Sequence, residues 1–169
     1  ADALITVCAA LKDVLVDLGL PEEKVTVLRN GVDLELFRPL PRAPLRAALG
    51  LAGPTLVSVG YLIERKGHHL VIEALAELPG HTLLVVGEGP ERVALERLAV
   101  RLGVDDRVRF LGSVPHARLA EIYAAADLLV LASSREGWAN VLLEAMACGT
   151  PVVATALWGT PEVVDTPAA

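Results

Sequence analysis

The sequence predicts an α/β fold, a Rossmann-like parallel sheet with helices on both faces. Three observations predict it. The 169 residues are 53% apolar, which suits one domain with a buried core. Only 4% are aromatic, a balance typical of helices packed on parallel strands. From Pro54 onward, short β-rich runs alternate with segments whose apolar residues recur at helical spacing, as in right-handed βαβ units.

Five strands and four helices are predicted in this alternating part of the chain. The predicted strands are 55–59, 82–86, 107–111, 127–131 and 151–154. The predicted helices are 67–78, 90–102, 116–125 and 140–148. Ligands of parallel sheets bind at the carboxyl ends of the strands, so the loops that follow the strands are where a site is expected.

The first part of the chain has a different organisation. Its predicted elements are a strand at 4–7, a helix at 9–18 and a strand at 25–28. Asn30-Gly31 marks a tight turn, and the proline-rich stretch from Pro39 to Pro44 is predicted to be an irregular connector. We expect residues 1–44 to be the tail end of an amino-terminal domain plus this connector. Residues 45–169 would form a Rossmann-like domain that is truncated at its carboxyl end, so a fragment is expected.

Composition argues against several classes of function. The formal net charge of -6 is unlike that of proteins that bind nucleic acid without specificity. No apolar run reaches the roughly 18 residues that span a bilayer, and the start of the chain lacks a charged leader, so a cytoplasmic location is predicted. Cys8 and Cys148 lie in apolar segments, which favours buried reduced thiols over a disulfide or a metal pair.

The most informative stretch follows the predicted strand 127–131. Asn140 has the properties of a helix N-cap, and Gly149 those of a C-cap residue. A helix that begins near Asn140 places Glu136 in the loop before it and Glu144 just past its first turn.

Free backbone N–H groups from Gly137 to Val141 lie between these two glutamates. A diphosphate fits there, because a helix N-terminus offers hydrogen-bond donors and a positive dipole end. Carboxylates on both sides suit a ligand with hydroxyls at both ends, as in a nucleotide sugar. The alternative is that Glu136 and Glu144 are solvated side chains around an ordinary capped helix, as most glutamates are.

A second cluster follows the predicted strand 55–59. Gly60 permits close approach of a ligand to the backbone, and Arg65 and Lys66 precede a helix. These two cations could neutralise phosphate charge without a metal, although an exposed basic loop is the ordinary alternative. His68 and His69 are adjacent and not at metal-ligand spacing, so they are interpreted as first-turn residues of that helix.

Taken in order, four segments resemble the family 4 glycosyltransferases, which are retaining enzymes of the two-domain GT-B fold and include sucrose-phosphate synthases. The segments are Asn30 to Asp33; Val59-Gly60 with Arg65 to Gly67; Glu136 paired with Glu144; and Gly149 to Ala154 with Gly159 to Val164. The resemblance covers essentially the whole chain.

The resemblance implies functions for individual residues. Glu136 would hold the donor sugar and, with Lys66, is the predicted catalytic residue; Glu144 would bond the ribose hydroxyls. Lys66, assisted by Arg65, would bind the phosphates. The full predicted donor-binding set is Gly60, Arg65, Lys66, Val114, Glu136, Gly137, Trp138, Ala139, Asn140, Val141 and Glu144, with the backbone of Val114 beside the nucleobase.

The implied activity is transfer of a hexose from a UDP, GDP or ADP sugar to an acceptor with retention of configuration. No cofactor and no metal are expected. The acceptor would bind to the missing amino-terminal domain, through which any peripheral association with a membrane would also occur, so this fragment alone is expected to be inactive. Two alternatives stay open: a nucleotide-sugar-binding module without turnover, and a GT-B relative such as a sugar epimerase.

The sequence departs from the family pattern at two positions. Tyr61 stands where the family usually has a phosphate-binding arginine, and Arg65 is the predicted substitute. Trp158 stands where many members have a glycine before Gly159, and it would either narrow the site or cover it.

Overall fold

Two parallel sheets organise the computed structural model, which describes residues 2–164. In the small sheet, β1 (Leu4–Thr6) pairs with β2 (Val25–Val27). The strands of the large sheet are β3 (Thr55–Val59), β4 (Thr82–Val86), β5 (Val108–Gly112), β6 (Leu128–Leu131) and β7 (Val152–Ala154). Their spatial order is β5-β4-β3-β6-β7.

Helices follow nearly every strand. They are α1 (Ala9–Asp17), α2 (Arg42–Ala48), α3 (His68–Ala76), α4 (Arg92–Arg101), α5 (His116–Ala125), α6 (Asn140–Ala147) and α7 (Thr160–Val163). Single 3₁₀ turns occur at Glu22–Lys24 and Glu64–Lys66. Between residues 2 and 164, no helix combines the length and apolar character needed to cross a membrane.

The core lies on both faces of the large sheet. Leu56, Leu83 and Val85 pack with α3 and α4, whereas Val57 and Leu84 pack with α5 and α6. All five are at most 6% exposed. Because successive side chains of a strand point to opposite faces, both faces are apolar and need helices to cover them. The predicted Rossmann-like sheet with helices on both faces is therefore confirmed.

The predicted elements are present with bounds that differ by at most two residues at either end. The prediction of an irregular connector between Pro39 and Pro44 is wrong, because α2 begins at Arg42. Pro41 precedes the first helical residue and Pro44 lies in the first turn, where the N–H groups have no partner within the helix. Proline costs no helical hydrogen bond at these positions.

Asp127 joins α2 to the large sheet. Its carboxylate accepts hydrogen bonds from Arg42, from Arg46 Nη1 at 3.0 Å and from the backbone N–H of Thr55 at 2.8 Å. Arg46 also donates to the carbonyls of Gly53 and Ala125. Burial alone would raise the pKa of Asp127, but the hydrogen bonds from Arg42 and Thr55 and the two arginine charges lower it below its ordinary value of 3.8.

Cys8 and Cys148 are both buried and free, which confirms the prediction of thiols rather than a disulfide. Burial raises the pKa of Cys148 to about 11. A hydrogen bond from the backbone of Arg38 lowers it, and the charge of Glu144 raises it further. The thiol therefore stays protonated and unreactive at neutral pH.

The order of strands creates a crevice at the centre of the large sheet. From β3 the chain passes outward through β4 to β5, then returns to β6 on the other side of β3 and continues to β7. The loops after β3 and β6 therefore lead to helices on opposite faces and leave a gap between them. Ligands of open α/β sheets bind at such a switch point.

We expect Asp127→Asn to lower the free energy of unfolding at neutral pH by up to about 1 kcal/mol, since the side chain is 37% exposed and solvent screens the pair. The folded-state pKa of Asp127 is depressed, so its charge stabilises the fold above the unfolded-state pKa. That contribution is lost as the pH falls through the folded-state pKa. Urea unfolding at neutral and acidic pH measures it; a difference between variant and wild type that does not change with pH would contradict the charge pairing. Asp105→Asn, in an exposed turn, is the control.

Candidate functional site

Lys66 and Glu136 meet at the carboxyl ends of β3 and β6. Lys66 Nζ donates to Glu136 Oε1 at 2.5 Å, and Ser133 Oγ donates to the same oxygen at 2.8 Å. The two charged side chains are only 20% and 10% exposed. Removing either partner of a pair at this depth would leave an uncompensated charge in poorly solvated surroundings. The structure thus brings together the two residues predicted to be catalytic.

A close backbone contact places Lys66 against Glu136. Gly67 has φ +69°, and a Cβ there would lie 2.0 Å from the carbonyl oxygen of Ala132, just after β6. The N–H of Ser134 donates to the carbonyl of Arg65 at 2.8 Å. The turn that carries Lys66 therefore packs directly on the β6–α6 loop (residues 132–139), and only glycine fits at position 67.

Arg65 lies outside the Lys66–Glu136 pair. Its side chain is exposed and lines a shallow cleft with His69, Leu70 and Ser134. Arg65 and Lys66 are consecutive in a 3₁₀ turn, so their side chains leave the backbone about 120° apart. Tyr61, at the position of the family's usual arginine, is 59% exposed.

The start of α6 lies beside Glu136. The helix begins at Asn140, as predicted, but the prediction of Asn140 as N-cap is wrong because Ala139 occupies that position. The side chain of Asn140 instead accepts a hydrogen bond from Asn30 Nδ2 at 3.4 Å. No side chain in the described part of the chain caps α6, so the N–H groups at its start are available to a ligand. At the other end Cys148 is the C-cap residue, and Gly149, predicted for that position, follows it.

Two side chains of α5 hold Glu144 in place. Tyr123 Oη donates to Glu144 Oε2 at 2.9 Å, and His116 Nε2 lies 3.2 Å from Oε1. Burial of Tyr123, followed by the charge of Glu144 and its hydrogen bond, raises the pKa of the phenol far above its ordinary value, so Tyr123 stays a donor. Glu136 and Glu144 are 9% and 8% exposed, so the alternative of two solvated surface glutamates is wrong.

Sequence reasoning missed the partners of both glutamates. Ser133 stands three residues before Glu136, a spacing that gives no recognisable signal in a loop. Tyr123 and His116 lie two turns apart on α5, and a tyrosine within an apolar helix face looks like an ordinary core residue. Val114, predicted to contact the nucleobase, is half-buried in the loop that leads to α5 and packs on the core.

The β6–α6 loop is braced by residues outside the large sheet. Trp138 Nε1 donates to the carbonyl of Asn30 at 3.1 Å, and the guanidinium of Arg29 lies 5.9 Å from the Trp138 ring centroid. On the other side, a Cβ on Gly159 would lie 2.1 Å from the carbonyl oxygen of Gly137, so the loop before α7 packs on the same backbone.

Trp158, which precedes Gly159, departs from the usual backbone of an L-residue. Its φ is +46°, in the left-handed region that favours glycine, and its side chain is 42% exposed. The conformation that suits glycine is therefore kept where this chain has tryptophan.

Comparison with known families identifies the chain. Residues 45–166 match the family described as "Glycosyl transferases group 1". The chain belongs to this family. The Rossmann-like parallel sheet of this chain is the fold that it shares with its structural relatives. The described glutamates, Lys66 and the start of α6 all lie within the matched residues.

Three relatives show how far the likeness extends. The chain is 42% identical over 149 residues to a D-inositol 3-phosphate glycosyltransferase of Mycobacteroides abscessus, covering 83% of this chain and 33% of that protein. Anabaena HepE, solved in complex with UDP and glucose, gives a TM-score of 0.88 at 32% identity over 96% of this chain and 46% of that one. Sucrose-phosphate synthase from Thermosynechococcus elongatus gives 0.84 at 34% identity, over 94% and 42% respectively. The chain thus spans about a third of the length of the curated relatives it matches.

We expect Tyr123→Phe to lower the free energy of unfolding by about 1.5–3 kcal/mol, because the hydrogen bond it removes is made to a buried carboxylate. Tyr61→Phe is the matched control, since that ring is largely exposed and its loss of a hydroxyl should cost almost nothing. Urea unfolding of both variants measures the difference. Equal stability of the two variants would show that Tyr123 does not hold Glu144.

Proposed function

We propose that this group 1 glycosyltransferase binds a nucleoside diphosphate hexose and, in the whole protein, transfers the hexose to an acceptor with retention of configuration. The observation that carries the proposal is the Lys66–Glu136 pair at the switch point of the sheet, beside the uncapped start of α6. HepE shares the fold of this chain. It was solved in complex with UDP and glucose, in a structure 32% identical to this chain, and in complex with UDP-glucose, in one 31% identical.

The sugar end of the donor is proposed to bind at Glu136. Both hydrogen bonds that the carboxylate accepts within residues 2–164 end on Oε1, which leaves Oε2 for a sugar hydroxyl. The side chain is held from two directions, so a hydroxyl would meet an acceptor of fixed position.

The diphosphate is proposed to lie between the loop after β3 and the start of α6. Backbone N–H groups of Gly137–Val141 would bind it from one side, with Gly60 and Lys66 on the other. The positive end of the helix dipole adds to the charge of Lys66. Arg65, which is exposed and makes no contact with Glu136 in the described residues, is assigned only an indirect electrostatic contribution.

The ribose and nucleobase are proposed to occupy the other end of the site. Glu144 would accept hydrogen bonds from the ribose hydroxyls while Tyr123 and His116 hold its carboxylate in place. The backbone of Val114, in the loop before His116, would contact the base.

The chemical step breaks the bond between the anomeric carbon and the diphosphate oxygen, and both electrons leave with the nucleoside diphosphate. Lys66 and the N–H groups at the start of α6 would stabilise the negative charge that develops on the leaving group. Stabilisation of this kind needs no carboxylate nucleophile, and none is assigned. The metal-free site and the cytoplasmic location stay predictions.

The acceptor is proposed to bind in another domain of the whole protein. β1 and β2 form a sheet of their own, apart from the five strands of the large sheet, and the family match begins at residue 45. We therefore propose the predicted division into residues 1–44, an amino-terminal domain and its connector, and residues 45–169, the donor-binding domain, with the boundary moved to Arg42 because the whole of α2 is joined to the large sheet. The chain by itself would then be a binding module without turnover.

We expect UDP, GDP or ADP to raise the melting temperature of the chain. A ligand present at about 100 times its Kd stabilises a protein by about 2.7 kcal/mol, which a thermal-shift measurement detects readily. EDTA should leave the shift unchanged. The absence of a shift with all three nucleotides would refute donor binding, and a shift abolished by EDTA would refute the metal-free site.

We expect Lys66→Ala to weaken UDP binding by about tenfold or more while leaving uridine binding nearly unchanged, because the phosphates are the only part of the ligand that the ammonium group is proposed to contact. Titration calorimetry with UDP and uridine measures both affinities. Lys24→Ala, which removes an exposed lysine outside the large sheet, is the control. Equal losses for UDP and uridine would remove Lys66 from the phosphate site.

A further inference from the structure

His68, the first residue of α3, carries a buried nitrogen without a hydrogen-bond partner. The residue is 2% exposed, and its Nδ1 lies 2.8 Å from Ser58 Oγ on β3. Among the side-chain nitrogens and oxygens of the described residues, Nε2 of His68 is the one that is buried and makes no hydrogen bond. Leaving such a group unsatisfied destabilises the fold, so its presence requires a reason.

The unpartnered nitrogen faces the loop that would contact the diphosphate. A Cβ on Gly60 would lie 3.7 Å from His68 Nε2 and 3.6 Å from Lys66 Cδ. The imidazole therefore lies directly behind the glycine at the carboxyl end of β3, next to the stem of Lys66. The N–H of Gly60 is already bonded to the carbonyl of Val86 at 2.9 Å, which fixes this residue at one end only.

The imidazole of His68 is neutral at physiological pH. Burial lowers its pKa to about 4, with a further lowering by the nearby charge of Lys66. The backbone of Tyr61 and of Gly60 lies near the ring and raises the pKa, which partly offsets this lowering. No atom of that backbone reaches hydrogen-bond geometry with Nε2. A neutral imidazole has one donor and one acceptor nitrogen. We assign the Ser58 hydroxyl as the donor to Nδ1, because it makes no other hydrogen bond in the described residues, and this assignment places the proton on Nε2.

We propose that His68 is a positioning residue of the diphosphate site: when the diphosphate binds, Nε2–H donates to the backbone carbonyl of Gly60 and fixes this residue against the phosphates. The inference rests on the proposed function. A peptide group whose carbonyl turns toward His68 directs its N–H away from the core and toward the ligand. With the assigned tautomer, Ser58 leaves Nε2–H free for this bond, and the stem of Lys66 lies on the same side of Gly60 as the imidazole.

The hydrogen bond that forms on binding has a direct spectroscopic signature. The chain has four histidines, and the signals of His68 can be assigned by comparison with His68→Asn in ¹⁵N-histidine-labelled protein. We expect the Nε2 signal of His68 to shift and its proton to exchange more slowly with water on addition of UDP, and uridine to leave both unchanged. If UDP binds and neither quantity changes, the inference is overturned.

Two substitutions distinguish the contribution of His68 Nδ1 from that of Nε2. His68→Asn keeps a polar group near the Nδ1 position, for Ser58, and has no atom at Nε2; His68→Gln places an amide donor near Nε2. We expect His68→Asn to weaken UDP binding by about tenfold, the effect of one lost hydrogen bond, with uridine unaffected. His68→Gln should restore UDP affinity to within about threefold of wild type. His69→Asn, on the neighbouring half-buried residue, is the matched control.

The outcomes distinguish failure of this inference from failure of the proposed function. If UDP binds wild type and His68→Asn equally well, His68 does not position the phosphate segment. If His68→Asn and His68→Gln weaken UDP and uridine alike, the residue only supports the fold. If UDP does not bind wild type, the proposed function fails and the inference fails with it. Should both variants fail to fold, the labelled measurement still decides, because the His68 signals can be assigned by elimination from Asn variants of His69, His81 and His116.

Discussion

The close approach of two backbones at Gly67 and Ala132 is the constraint on which the candidate site depends. Parallel strands can bring two loops to one edge of a sheet, but they do not determine which side chains of those loops touch. The left-handed glycine lets the turn after β3 press against the end of β6, and that contact orients Lys66 toward Glu136 and Arg65 away from it. A side chain at position 67 would separate the two halves of the crevice.

The two buried glutamates are held by different chemistry, which fits the proposal that they bind different parts of a donor. Glu136 is balanced by a cation, so its charge is already compensated before any ligand arrives. Glu144 is held by the Tyr123 hydroxyl and by His116, and its charge is free to polarise a ligand hydroxyl. In the proposed site the charge of a diphosphate would be balanced by Lys66 and the start of α6, since Tyr61 carries no charge and Arg65 is exposed. A site with one close cation depends strongly on how that cation is positioned.

Local sequence signals were sufficient for most elements and insufficient for the contacts between them. The strands, and the start of α6 at Asn140, follow from apolar spacing and punctuation by glycine and proline. The order of strands places β6 beside β3 through pairing that no local pattern encodes. The same is true of Asn140, whose side chain is engaged by Asn30 from 110 residues away instead of capping its own helix. The helix α2 was missed for another reason: proline was treated as a breaker where the first helical turn tolerates it.

The β6–α6 loop is held in place by contacts from segments that lie far from it in the sequence. Glu162 accepts hydrogen bonds from the N–H of Ala9 at 2.8 Å and from Arg29 Nη2 at 2.6 Å, so α7 is joined both to the start of α1 and to the segment after β2. Arg29 and its neighbour Asn30 in turn hold Trp138. The backbone next to Glu136 is therefore stabilised from outside its own sheet. A change at Asn30 would therefore alter the position of the Glu136 carboxylate through Trp138 and the loop.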